Sequence, residues 1–191
     1  SRCLLNAGCE IQQTIAIFAP NSEKWAMLDY AALQIRAVPV PIYATSTAQQ
    51  AAHIINDADV QWVFVGDEQR EIAVAALDHC PNVKGVIALS QEATAPTHPK
   101  VWDWASWLLQ DDRGYQAELE ARIDARCMDD LTTLIYTSGT TGDPKGVMLD
   151  YANIAAQLEV HDQVLALRPD DVSLAFLPLS HVFERAWSYY V

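Results

Sequence analysis

Short apolar runs alternate along this chain with longer stretches in which apolar positions recur every three or four residues. The runs at residues 14–19, 61–65 and 84–89 have the β-branched and aromatic content of buried strands. Residues 38–43 contain Pro39 and Pro41, and a proline has no amide hydrogen to give a ladder. They predict a short extended piece at a sheet edge or a strand start. Residues 23–37 read as a helix capped by Asn21 or Ser22, with Trp25, Leu28, Leu33 and Ile35 on its apolar faces. Further helices are expected over 47–57 and 67–79. This β-α-β-α-β rhythm implies an α/β fold: a parallel sheet covered by helices.

The second half is less regular. Residues 90–100, with Pro96 and Pro99, read as a loop, and 101–110 and 115–125 as surface helices around the turn Asp111-Asp112-Arg113-Gly114. A strand over 131–137, a helix over about 151–167 stopped by Pro169, and a strand over 172–177 complete the pattern. Trp102, Trp104 and Trp107 fit core or lobe-interface positions better than a lipid-binding patch.

Composition narrows the function classes. Hydrophobic residues make up 51% of the chain, enough for a folded core rather than a disordered segment. A formal net charge of −13 excludes a general nucleic-acid binder, because a phosphate backbone demands the opposite sign; a local ATP site is unaffected. Cys3, Cys9, Cys80 and Cys127 show no metal-ligand spacing and read as reduced thiols of a cytoplasmic protein. No apolar run approaches the ~20 residues of a membrane span.

The chemistry concentrates in Tyr136-Thr137-Ser138-Gly139-Thr140-Thr141-Gly142-Asp143-Pro144-Lys145-Gly146. A short strand feeding a loop rich in glycines and hydroxyls, closed by a lysine, suits a polyphosphate. Glycines let backbone N–H groups approach oxyanions, hydroxyls donate hydrogen bonds or reach a magnesium ion, and Lys145 adds a mobile charge. The spacing differs from the P-loop G-x-x-x-x-G-K-[ST]: Pro144 stands where the second glycine belongs, and Gly146 follows the lysine. A P-loop phosphotransferase therefore fits less well, and a plain surface turn is the bland alternative.

That segment resembles the phosphate-binding motif of the adenylate-forming (AMP-binding) superfamily. Leu177-Pro178-Leu179-Ser180-His181-Val182-Phe183-Glu184-Arg185 resembles the family's next motif, in the form found in long-chain fatty acyl-CoA synthetases. Residues 14–25 and 37–43 are similar to the family's opening strand–helix–strand. The resemblance implies part of the large N-terminal domain, with residues 1–130 as a first βαβ lobe and 131–191 as the phosphate-loop segment. It implies ATP-dependent activation of a fatty acid to an acyl-adenylate, followed by transfer to coenzyme A. Thr137, Ser138, Gly139, Thr140, Thr141, Gly142 and Lys145 would hold the phosphates, and Ser138 or Thr140 would supply a hydroxyl to Mg2+. His181 and Phe183 would border the adenylate pocket, although His181 also suits a histidine satisfied at a helix start and Phe183 a core position. Glu184 and Arg185 suit a structural ion pair.

The family's later acidic motif, ribose-binding Asp, hinge and C-terminal lysine have no counterpart here. Residues 186–191 form an apolar aromatic run, and Ser1 is not a methionine. The sequence is therefore expected to be a fragment of a larger enzyme, inactive by itself, whose intact form is cytoplasmic or peripheral on the inner face of a membrane. A fatty acyl-AMP ligase and a non-catalytic nucleotide-binding module stay open as alternatives.

Overall fold

The computed structural model describes residues 1–90, 98–110, 113–137, 143–165, 168 and 170–189. After a short helix α1 (Arg2–Asn6), β1 (Thr14–Phe18), α2 (Glu23–Gln34), β2 (Val38–Ile42), α3 (Ala48–Asp57), β3 (Trp62–Val65), α4 (Arg70–Leu77) and β4 (Gly85–Ala88) follow the expected alternation. Residues 101–110 depart from it. Val101–Asp103 is a strand, β5, and only Trp104–Leu108 is a helix, α5. The reason is local: Val101 pairs with Val86, and the Asp103 carboxylate then accepts the Ser106 amide at 2.9 Å and starts the helix.

The five strands form one parallel sheet in the order β2-β1-β3-β4-β5. Its two faces are read directly from the period of two along each strand. Ala16, Phe18, Val40, Val63, Val65 and Val86 pack with α3 and α4, whereas Ile15, Ile17, Phe64 and Ile87 pack with α1, α2 and α5. Trp102 and Trp107 lie against Trp62 at ring separations of 5.8 and 5.1 Å, so the tryptophan cluster is core. Gly85 is required there: a Cβ on it would fall 1.9 Å from the Trp102 ring. The proline-bearing strand β2 is an edge of this sheet, as expected.

Helix boundaries follow side-chain chemistry. The Ser22 hydroxyl accepts the Trp25 amide at 3.2 Å, and Thr47 and Gln50 form a reciprocal capping box at the start of α3. Helix α2 ends earlier than the periodicity suggests because Arg36 adopts φ 61°, a left-handed conformation that stops a helix and usually belongs to glycine.

Beyond the parallel sheet, a 3-10 turn (Arg113–Tyr115) leads to α6 (Gln116–Asp124), then β6 (Leu131–Thr137), β7 (Lys145–Asp150), α7 (Tyr151–Leu165) and α8 (Val182–Tyr189). The expected strand at 172–177 does not form. A strand needs a neighbouring backbone, and this segment pairs with none among the described residues; Val172 is 97% exposed. No helix among the described residues is long and apolar enough to cross a membrane.

Three of the four cysteines lie in the core and Cys127 is exposed. Burial is the main cause pushing the Cys9 thiol up to about 11, and it also raises Cys80. Since the thiolate is the reactive form, a thiol reagent at pH 8 is expected to modify Cys127 in a single fast phase, with the other three reacting only on unfolding. Cys127→Ser should remove that phase, and a second fast thiol would show that a face of the core opens readily.

Candidate functional site

Strands β6 and β7 form an antiparallel hairpin that was only half expected: β6 was legible, β7 was not. Tyr136 pairs with Gly146 and Thr137 with Lys145, so the lysine returns directly opposite the residue at which the loop begins. Thr137 and Lys145 are both exposed. Ser138, Gly139, Thr140, Thr141 and Gly142 lie outside the described residues. The hairpin alternative to a surface turn follows from residues 145–150, whose apolar positions Val147, Met148 and Leu149 give β7 its strand character.

The mouth of the hairpin is tied to α3. Tyr136, buried, donates its hydroxyl to Asp57 Oδ2 at 2.6 Å; burial first, and then this carboxylate, push its phenol up. His53 Nε2 lies 2.8 Å from the Pro144 carbonyl oxygen, which can only accept, so Nε2 carries the proton. Gly146 sits against the Tyr136 ring, where a Cβ would come within 3.0 Å. His53, Asp57, Asp143, Pro144, Lys145 and Gly146 line one open cleft.

The base of the hairpin is fixed from the other side. Gln12 Oε1 accepts the Leu131 amide at 2.7 Å. Arg36 donates to both oxygens of Asp130 at 2.8 Å, and these hydrogen bonds hold the Asp130 carboxyl below the usual range. The left-handed Arg36 is thus the residue whose side chain anchors β6.

The second motif docks on α2. Asn21 donates to the Leu177 carbonyl at 2.8 Å and accepts the Leu179 amide at 2.7 Å, gripping the motif rather than capping the helix. Arg185, 1% exposed, makes a bidentate ion pair with Asp29, donates to Thr133 Oγ1 at 2.8 Å, and lies 5.5 Å over the Trp25 ring. The carboxylate that pairs with Arg185 is that of Asp29, from α2. Glu184, also buried, accepts the Leu177 amide at 3.3 Å. His181 is exposed; its Nδ1 accepts the Phe183 amide at 3.2 Å in the manner of a helix cap. Phe183 does not fill core: it is 52% exposed and stacked on Trp187.

Comparison with known proteins decides the family. The family model described as "AMP-binding enzyme" matches residues 1–191. The chain belongs to the AMP-binding enzyme family. Among relatives of this AMP-binding chain, a long-chain-fatty-acid–CoA ligase, FadD15, of Mycobacterium bovis is 35% identical over 97% of the chain and 30% of its own length. Human long-chain-fatty-acid–CoA ligase 6 is 34% identical over 95% of the chain and 28% of its own length. The chain thus spans under a third of the length of these curated relatives. Solved structures share the fold. A long-chain-fatty-acid-CoA ligase (FadD1) from Archaeoglobus fulgidus superposes with a TM-score of 0.73 at 23% identity, over 97% of this chain and 34% of that one. The anthranilate CoA ligase AuaEII, in complex with anthranoyl-AMP, gives 0.76 at 17% identity, over 94% and 33%.

In this AMP-binding chain the residues that sequence reasoning missed are those that position the motifs: His53, Asp57, Asn21, Asp29, Arg36 and Asp130. Asp29, His53 and Asp57 are single polar positions on helices whose periodic pattern predicts only the apolar contacts, and Asn21, Arg36 and Asp130 lie in the connections between elements. Among the described residues no cluster of three His, Cys, Asp or Glu side chains could hold a metal ion.

Arg185→Met leaves Asp29 buried without its cation and is expected to cost about 3–5 kcal/mol in urea unfolding of the intact protein, much of it restored in the double variant with Asp29→Leu. A loss below about 1 kcal/mol would mean that water reaches the pair. Asp130 gives a pH test. Its folded pKa is depressed, so its contribution is complete above the unfolded value of about 3.9 and is lost as pH falls through the lower folded value. Asp130→Asn should therefore be less stable than wild type at pH 7, with the gap narrowing below about pH 4. A gap independent of pH would assign the effect to packing.

Proposed function

We propose that the intact protein is an acid–thiol ligase that activates a long-chain fatty acid with ATP and passes the acyl group to coenzyme A. The observation that carries this reading is the register of the hairpin: Thr137 and Lys145 face one another, so a hydroxyl and an ammonium flank the loop at its two ends. In an AMP-binding enzyme whose relatives are named long-chain-fatty-acid–CoA ligases, that arrangement suits the phosphates of ATP.

The fatty-acid carboxylate oxygen attacks the α-phosphorus of ATP, and pyrophosphate leaves. The resulting mixed anhydride is a far better electrophile than the carboxylate. The thiolate of coenzyme A then attacks the acyl carbon, AMP departs, and a thioester is formed. The first step needs little covalent help from the protein; positioning and neutralisation of phosphate charge supply most of the catalysis. Thr137 and Lys145, with Ser138, Gly139, Thr140, Thr141 and Gly142, are assigned to the β- and γ-phosphates. Mg2+ would arrive on the nucleotide, with Ser138 or Thr140 as the hydroxyl offered by this chain. His181 and Phe183, exposed at the start of α8, are assigned to the wall of the adenylate pocket. Peripheral membrane association of the intact protein would fit a substrate that partitions into lipid.

Fatty-acid-dependent ATP–pyrophosphate exchange tests the reading on the longest natural form of the protein and on this chain. Exchange in the former alone, with palmitate well above acetate, is the expected result. Exchange without thioester formation would make the protein an acyl-AMP ligase, and none with any carboxylate would leave a nucleotide-binding module. Lys145→Ala should lower kcat/KM for ATP about 10- to 150-fold, the loss of one charge-assisted contact; unchanged constants would place the lysine outside the site.

A further inference from the structure

The described residues hold a second set of contacts at the hairpin mouth that the adenylation chemistry does not use. His53 and Asp57 stand four residues apart on α3, hence on one side of the helix. The opposite side, Ala51, Ala52, Ile54 and Ile55, is locked into the core beneath the parallel sheet, and the Thr47–Gln50 capping box fixes the helix start. From this rigid support the two side chains reach different rims of one loop. Asp57 takes the hydroxyl of Tyr136, the last residue but one of β6, at 2.6 Å; His53 takes the carbonyl of Pro144, the residue before Lys145, at 2.8 Å.

The two rings are in contact as well. His53 meets Tyr136 edge-on at 6.4 Å, and Gly146 lies close to the Tyr136 ring, where an added Cβ would come to 3.0 Å and push the ring aside. Neither α3 residue is needed for the core: Asp57 is exposed and His53 half-buried. Their contacts therefore define a geometry more than a stability, and they fall on the residues just before Thr137 and just before Lys145.

We propose that His53 and Asp57 are positioning residues that set both rims of the hairpin against the parallel sheet and so fix where Lys145 meets the polyphosphate, an inference that rests on the phosphate-binding reading of that hairpin. Two consequences separate it from a general structural role. Substitutions on α3 act on nucleotide and not on fatty acid. The effect of His53 also follows the hydrogen bond and not ring bulk, so a glutamine, whose Nε2 occupies a similar place, substitutes for it.

The test uses the intact protein carrying His53→Leu, His53→Gln, Asp57→Ala and Lys145→Ala, with MgATP affinity by calorimetry, exchange kinetics and Tm for each. His53→Leu and Asp57→Ala are expected to weaken MgATP binding and raise KM for ATP about 3- to 10-fold, the scale of one hydrogen bond each, with KM for palmitate and Tm nearly unchanged. His53→Gln should recover most of the loss. In the Lys145→Ala background the α3 substitutions should have little further effect, because they act through the lysine. Unaltered MgATP affinity in both α3 variants overturns the proposal, as does a loss that tracks Tm or falls equally on palmitate. Calorimetry also separates the two readings. A protein that binds MgATP in an α3-dependent manner but exchanges with no carboxylate keeps the positioning role and loses the ligase. One that exchanges normally in every α3 variant keeps the ligase and loses the positioning role.

Discussion

The buried contact between Arg185 and Asp29 is the constraint on which the arrangement of this molecule depends. It joins three segments far apart in sequence: α2 supplies Asp29, β6 supplies Thr133 and α8 supplies Arg185. An unpaired charge at this depth would cost several kcal/mol, so each segment is held to the position that completes the set. The planar guanidinium suits the task. It takes two oxygens of Asp29 in its fork, gives a further N–H to Thr133 and lies over the Trp25 ring, which a lysine could not do together. Nearby, Asn21, just before the start of α2, holds the backbone of the second motif. The parallel sheet thus acts as a base plate, with α2 gripping one motif and α3 the other.

A division of labour follows. Apolar residues at period two and near 3.6 build the plate; single polar residues, on the helices or in the turns beside them, register the motifs on it. Arg36 shows the cost of such registration. It occupies a left-handed position suited to glycine, and its side chain is what holds Asp130 at the foot of β6.

How far the sequence was legible follows from the same division. The strands 14–18, 62–65 and 85–88 and their helices announce themselves because strand period and helix period are local signals. The phosphate loop was visible through its composition, and the chain's place among AMP-binding enzymes bears out the family reading drawn from it. Strand β5 was hidden inside a helix-like run because its identity comes from β4, a partner 15 residues earlier in register. Strand β7 was hidden because glycine and proline precede it and its pairing is with β6. The segment 172–177 erred the other way: alternation signals a strand only where a neighbour's backbone is at hand. The registering contacts were invisible for a further reason. A lone Asp, His or Asn carries no periodicity, and its partner lies dozens to more than a hundred residues away.

The proline-bearing edge has a consequence for how this molecule behaves in company. The Val38 amide is given to Gln13, so alternate residues along β2 face β1 and the intervening positions, Pro39 and Pro41, face outward. Neither has an N–H. The outer rim of the sheet at these positions is an array of acceptors alone, and the Thr133 hydroxyl already occupies the Pro39 carbonyl. An incoming strand, from another copy or a half-folded neighbour, finds no donors to match its own carbonyls. The edge is thereby closed to strands, and it is covered by the molecule's own β6: all five residues of β2 are buried, and β6 reaches the rim through a side-chain donor.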